Sequence, residues 1–214
     1  MPSFVICVDV LGGHSSISPR RTPTWVQLLT EVYFLLQAAL GGELFDVYTD
    51  QDFWGQADKA RFYVACVALG LSHLHSKHVI WRDLKLENCL MDAKGYLKIT
   101  DFGISKMVTG KTYTVCGTAD YFAPETLKQV GHNRAADWWA LGIMLFIMIA
   151  GYSPFDAPEV TQIYKNIIKG EGPQTLTHRL ASICIILQSL LIPSEHPRHL
   201  KPFHFAYLAV LARV

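Results

Sequence analysis

Between Ala57 and Ser76 the apolar positions Val64, Val67, Leu71 and Leu74 recur at helical spacing, so one face of an amphipathic helix is buried there. A second pattern differs in kind. Trp138 to Ala150 reads WWALGIMLFIMIA, apolar around the whole circumference, as expected of a helix packed on every side. It is too short to span a membrane, and Gly151 and Pro154 end it. A third stripe, Val160, Ile163, Tyr164, Ile167 and Ile168, has Pro158 near its start and Gly170 after its end, and predicts another helix packed on the core. Between the first two helices, the residues from Asn88 to Asp101 read as a short hairpin turning at Lys94-Gly95, which folds Asp101 back beside Asn88. Two later apolar runs, Ile183 to Ile192 and Phe203 to Leu211, either repack against the rest or promote aggregation; the pattern leaves both open.

The chemistry concentrates around that hairpin. Residues 81–103 read WRDLKLENCLMDAKGYLKITDFG, with Asp83 five residues before Asn88 and eighteen before Asp101. A migrating phosphoryl group carries negative charge on its outer oxygens, and this set answers it: Asp101 and Asn88 as oxygen ligands for Mg2+, Lys85 as an ammonium, Asp83 to orient a hydroxyl and accept its proton. Arg82, beside that aspartate, suits a loop bearing a phosphate. Phe102 supplies apolar packing behind the metal ligand, and Gly103 lets the backbone turn. Any one of these residues would pass as decoration of a solvated turn; so many fixed positions together do not.

At these residues the chain resembles the eukaryotic protein kinases, whose catalytic and magnesium loops carry the same pattern. DFGISKMVTGKTYTVCGTADYFAPE, residues 101–125, is similar to an activation segment ending at Ala123-Pro124-Glu125. Thr118 stands where serine/threonine kinases place a threonine that hydrogen-bonds the catalytic aspartate and lysine. TYTVCGT, GGELF at 41–45 and ADWWALG at 136–142 resemble the cyclic-nucleotide-regulated members of the AGC group, cyclic-GMP-dependent kinases in particular. The resemblance implies a mainly α fold with a small β-hairpin component, the kinase large (C-terminal) lobe with the small lobe mostly missing. It divides the chain into an unmatched segment 1–30, a partial kinase domain 31–170 and an unmatched tail 171–214.

It also implies roles, position by position. Catalysis falls to Asp83, Lys85, Asn88, Asp101 and Thr118, with Asn88 and Asp101 holding Mg2+. Residues 32–40 match the last small-lobe strand and the hinge: Leu36 the gatekeeper, Gln37 to Ala39 the backbone facing adenine, Leu44 and Leu90 the floor beneath the ring, Glu43 beside them. Thr114 matches an activating phosphorylation site whose phosphate would pair with Arg82 and Lys106, written by an upstream kinase, with Thr112 the local competitor. Glu43 and Glu87 would hold arginines before the phosphoacceptor, implying basic protein or peptide substrates. Ile147 stands where relatives carry a further glutamate, so the nearer arginine is held less firmly. Val115, Ala119 and Phe122 would line an apolar pocket for the following residue, although Ala119 replaces the usual proline.

Some departures bear on activity. Gly12-Gly13 makes no glycine-rich loop, Glu31 is the first glutamate and Lys59 the first lysine, so no strand lysine paired with a helix glutamate precedes the hinge. Trp81 replaces the histidine or tyrosine usual before Arg-Asp; stacking on Phe102 is still expected. Asp137 resembles the aspartate tying the buried helix to the catalytic loop, and Glu125 lacks a recognisable arginine partner in the tail, which predicts a buried lone carboxylate. The expectation is an ATP- and Mg2+-dependent serine/threonine kinase with negligible transfer by this chain alone; a non-catalytic binding module and a non-functional fragment of a larger kinase are the alternatives.

Composition narrows the class without changing it. The net charge of +1 and the 17% charged content, without Lys/Arg blocks, argue against a nucleic-acid footprint. Five cysteines at scattered positions without a CxxC pattern fit neither a zinc site nor a disulfide framework. His73, His75 and His78, near the end of the first helix, read as core or helix-end histidines before metal ligands. The N-terminal MPSFVICVDV is interrupted by Asp9 and lacks a cationic start, so a signal peptide is not expected and the location read from the sequence is cytoplasmic.

Overall fold

The computed structural model describes residues 38–170 in full, and the backbone of the strands Val8–Asp9 (β1), Trp25–Leu28 (β2) and Glu31–Phe34 (β3). Next come the helices Leu44–Asp50 (α1) and Ala57–Ser76 (α2) and the strands Val79–Ile80 (β4), Cys89–Met91 (β5), Leu97–Ile99 (β6) and Lys106–Met107 (β7). The helices Pro124–Leu127 (α3), Ala135–Ala150 (α4) and Val160–Lys169 (α5) complete the order. Three small antiparallel sheets, β1-β6-β5, β2-β3 and β4-β7, replace the one hairpin expected from the pattern.

The helix anticipated at 57–76 forms with those bounds. Val64, Val67 and Leu71 are fully buried, with Ala60, Tyr63 and Leu74 on the same face, while Phe62 and Leu69 point outward. α4 is the central post. Asn133 starts it, its side-chain oxygen accepting the Ala135 N–H at 2.9 Å, and Gly151 ends it in the left-handed conformation (φ +81°) that favours glycine. From Ala136 onward no residue of α4 is exposed; Leu141, Met144, Leu145 and Met148 interlock with α2 in one core. On the opposite side Ile143, Trp139 and Phe155 meet Ile163 and Ile167 of α5, with Trp139 stacked on Phe155 at 6.1 Å. The expected α5 stripe is narrower than five residues: Val160 and Ile168, at its two ends, remain exposed.

The β5-β6 hairpin turns where predicted. Asp92 accepts backbone N–H bonds from Lys94 (2.8 Å) and Tyr96 (3.0 Å), and the Tyr96 bond, ahead of the Lys94 bond, holds the carboxyl below the usual carboxylate range. Residues 41–42 then dock on this hairpin. The Gly41 N–H donates to Met91 O at 2.8 Å and the Met91 N–H to Gly42 O at 2.9 Å. A Cβ on Gly41 would lie 2.7 Å from the Asp92 carbonyl oxygen and 2.8 Å from Met91 Cβ. Gly41→Ala is therefore expected to push the segment off the hairpin and cost about 1–3 kcal/mol, the usual scale of overpacking, read as a lower midpoint in urea unfolding.

Two expectations are corrected here. Leu44 does not floor an open pocket: as the first residue of α1 it is fully buried in the core, while Leu90, its supposed companion, is only half-buried and bridges to Glu43. Glu125 is half-exposed in α3, so its carboxylate stays within reach of water and is not the buried lone charge expected. Leu36 and Gln37 lie outside the described residues; Ala39 falls in the irregular segment before α1. No helix among the described residues is long and apolar enough to cross a membrane.

Candidate active site

The loop from Trp81 to Asn88 joins β4 to β5 and is suspended from one side chain. Asp137, in the first turn of α4 and 1% exposed, accepts the Trp81 N–H at 3.0 Å, the Arg82 N–H at 2.8 Å and a bond from His75 Nε2 at 2.7 Å. Buried backbone donors need such a partner, and a carboxylate with two oxygens can serve all three. Arg82 is thereby held at φ +71°, and Asp101, at the far end of the hairpin, at φ +56°. Left-handed backbone in non-glycine residues costs on the order of 1 kcal/mol each and gathers at functional sites.

The loop presents Asp83 to the activation segment. Its Oδ1 accepts the Thr118 hydroxyl at 3.0 Å; its Oδ2 and its backbone carbonyl accept the two hydrogens of Asn88 Nδ2, at 2.9 Å and 2.8 Å. Lys85 Nζ stands 3.7 Å from the same Oδ2. With both amide hydrogens spent on Asp83, the Asn88 carbonyl oxygen is left as an oxygen donor. The Thr100 N–H bonds to Asn88 O at 3.0 Å, which brings the residue next to Asp101 against Asn88 as the hairpin reading anticipated. Asp101 is exposed; its Oδ1 accepts the Gly103 N–H at 3.1 Å, leaving Oδ2 uncommitted. Two hard oxygen donors suit Mg2+, which takes few protein ligands and keeps its other positions for water and phosphate.

Trp81 does more than fill the place of a smaller ring. Fully buried, it stacks on Phe102 at 5.9 Å and 24°, and its indole N–H donates to the Asp101 carbonyl at 3.0 Å. The activation segment packs on the loop through Gly117 (φ +116°), where a Cβ would lie 2.6 Å from the Arg82 carbonyl oxygen. The thiols nearby are inert: burial pushes Cys66 up to about 11 and Cys89 higher still.

The remaining sites fall unevenly. Glu43 and Glu87 are both exposed, and Tyr121 lies against Glu87, its phenol raised first by burial and then by that carboxylate. Val115 is exposed, Ala119 half-buried and Phe122 buried against Tyr164 of α5 at 6.0 Å between rings. Thr114 is exposed while Thr112 is only 3% exposed, so the competitor phosphosite is the less accessible of the two. The structure does not bring Thr114 onto its expected partners: Lys106 Nζ donates to Thr112 Oγ1 at 3.2 Å, and Arg82 Nε donates to Ile104 O at 2.7 Å. Arg82 keeps one buried nitrogen, Nη1, without a hydrogen-bond partner among the described residues. Two residues went unread in the sequence. Thr100, beside Asp101, has a buried hydroxyl with no hydrogen-bond partner among the described residues, and His132 is buried behind the loop; nothing in the spacing of either one marks it.

The profile described as protein kinase domain matches residues 21–195. The chain is 47% identical over 140 residues to the cAMP-dependent protein kinase catalytic subunit of Arthrobotrys oligospora, which covers 65% of this chain and 27% of that protein. It is 47% identical over 150 residues to the cGMP-dependent protein kinase egl-4 of Caenorhabditis elegans, covering 69% of this chain and 19% of the relative. Against the human cAMP-dependent protein kinase catalytic subunit PRKX it is 41% identical over 140 residues, 65% and 39% of the two chains. Equal identity to the first two leaves the cAMP- and cGMP-dependent kinds unseparated, and the matched region spans about a fifth to two fifths of these relatives' lengths. A loop hung from a buried helix aspartate, a hairpin returning Asp101 to it, and these likenesses converge: the chain belongs to the protein kinase family, in the AGC group that holds the cAMP- and cGMP-dependent kinases.

Proposed function

We propose that the chain carries the catalytic and substrate-facing half of a serine/threonine kinase that transfers the γ-phosphoryl group of ATP to basic proteins or peptides, as part of a domain spanning residues 31–170. The observation that supports this best is the Asp83 carboxylate held between Thr118 at 3.0 Å and Asn88 at 2.9 Å. One grip comes from the activation segment and the other from the metal-side asparagine. Asp83 is thus aimed at the place where a hydroxyl must enter, and accepts its proton as the P–O bond forms. Lys85 supplies positive charge beside that oxygen. Asn88 and Asp101 would hold Mg2+, which when bound neutralises the phosphate oxygens; Leu90 and Ala39 would face the nucleotide.

Exposed Glu43 and Glu87 would bind arginine side chains of the substrate, and Val115, Ala119 and Phe122 would take the residue after the acceptor. Thr114 would accept an activating phosphate from an upstream kinase, drawing Lys106 and the unpaired nitrogen of Arg82 toward it. The unpaired thiols Cys66, Cys89 and Cys116 suit a reducing, cytoplasmic setting. Calorimetry with Mg·ATP, followed by transfer of labelled phosphate to a positional array of serine and threonine peptides with a kinase small lobe supplied in trans, tests the reading, since transfer by this chain alone is expected to be negligible. Expected are Mg2+-dependent nucleotide binding and labelling confined to arginine-bearing peptides. Labelling indifferent to basic residues overturns the substrate assignment; failure to bind Mg·ATP overturns the nucleotide site.

A further inference from the structure

Behind the catalytic loop, the activation segment is seated on the turn that precedes α4. Thr112 and His132 exchange backbone bonds, Thr112 N–H to His132 O at 2.8 Å and His132 N–H to Thr112 O at 2.9 Å. Lys111 Nζ reaches Val130 O at 3.3 Å, and Tyr113 lies so close over Gly131 that a Cβ there would sit 2.8 Å from its ring. The seat therefore fixes residues 111–113, and through the chain that follows them it positions Thr118 on Asp83.

The His132 side chain closes this seat from below. It is 4% exposed and shares with Arg82, Asp83, Cys116, Thr118 and Asp137 the wall of a recess of about 20 Å³, room for a single water. The charges around it are unfavourable to another cation. Arg82 from the catalytic loop and Lys106 from β7 are positive; Asp137 from α4 is negative but already takes three hydrogen bonds. Asp83, Cys116 and Tyr121 complete the titratable groups lining the recess.

We propose that His132 is a positioning residue whose charge state decides whether the activation segment stays seated against the catalytic loop. Neutral, the imidazole leaves the recess with one guanidinium and the seat closed. Protonated, it sets a second cation beside Arg82 in a space that holds at most one water, and the relief available is for the Thr112–His132 pairing to open. Burial first, then Arg82 and more weakly Lys106, hold the imidazole below its ordinary value, against Asp137. The sign follows from linkage: a histidine depressed in the seated state leaves the seat at full strength above about pH 6.5 and weakens it progressively as pH falls from there toward the depressed value. This concerns the segment's position and is independent of whether the chain transfers phosphate.

Tryptic cleavage after the exposed Lys111, in the full chain and in His132→Gln at matched pH, tests it, because the ratio of the two rates cancels the protease's own pH dependence and that of His75 and His78. Near pH 7.5 the rates should be similar; near pH 5.5 the unsubstituted protein should be cut several-fold faster than the Gln variant. A ratio that stays constant over that interval overturns the proposal. Titration of the His132 imidazole by NMR provides the second reading, which stands even if the Gln variant fails to fold: a value below that of an exposed histidine supports the proposal, and one at or above it sinks the proposal.

Discussion

Asp137→Asn is expected to destabilise the protein by about 3 kcal/mol and to lower any phosphoryl transfer at least a hundredfold, although the side chain never faces substrate. Removing one partner from a buried charged network costs about 3–5 kcal/mol when it strands the others. Here two backbone N–H groups, of Trp81 and Arg82, and the ring of His75 depend on two carboxylate oxygens. Asparagine keeps one oxygen and turns an NH2 toward a donor that needs an acceptor. Arg82 would then have no reason to remain at φ +71°, and the direction in which Asp83 leaves the loop is set by that residue. Urea unfolding gives the stability, and hydrogen exchange at the amides of residues 81 and 82 gives the local effect. An Asn variant with native stability and protected amides would show that the loop holds its shape without this anchor.

How far the sequence could be read follows from where the determinants lie. The Asp83, Asn88 and Asp101 pattern was legible because each residue type is set by charge chemistry and the spacings by a short hairpin, whose Asp92 turn is itself a local signal, while Thr118, which meets Asp83 at 3.0 Å, was read only through the kinase resemblance. The long helices were legible because burial writes a periodic pattern, and α4 needed only its all-round hydrophobicity. The packing of single side chains was not. Whether Leu44 faces a nucleotide or the core depends on where α1 begins relative to β5, a tertiary fact with no periodic trace, and the structure puts it in the core. Whether Val160 and Ile168 are covered depends on the angle of α5, and the bond from the Lys106 ammonium to Thr112, rather than to the unmodified Thr114, depends on how the segment lies over β7. The donor role of Trp81 was half-visible: a large ring there predicts stacking, while its N–H to Asp101 requires the backbone of the magnesium-side turn to lie within 3.0 Å.

Asp83→Asn separates the chemistry proposed for this carboxylate from its part in the architecture. The substitution is nearly isosteric and leaves the Asp137 suspension untouched, so the fold should survive. The variant loses the ability to take a proton, and the amide that replaces one oxygen meets either the Thr118 hydroxyl or the Asn88 amide with a donor where an acceptor stood. A general base contributes about 10²–10⁴ in rate, so transfer, measured with a small lobe supplied in trans, should fall by about a thousandfold. Mg·ATP affinity should change by no more than about twofold, since Asn88 and Asp101, the proposed ligands, keep their oxygens; Lys85 loses an anion at 3.7 Å, a partly exposed pair worth at most about 1 kcal/mol. Thr118 calibrates the result. Thr118→Ser preserves the hydroxyl and should retain transfer within a few-fold, whereas Thr118→Ala frees one side of Asp83 and should lower it by about tenfold, the worth of one charge-assisted hydrogen bond. If Asp83→Asn weakens nucleotide binding as much as it slows transfer, the carboxylate serves to hold Asn88 in place, and the proton acceptor must be sought elsewhere in the loop.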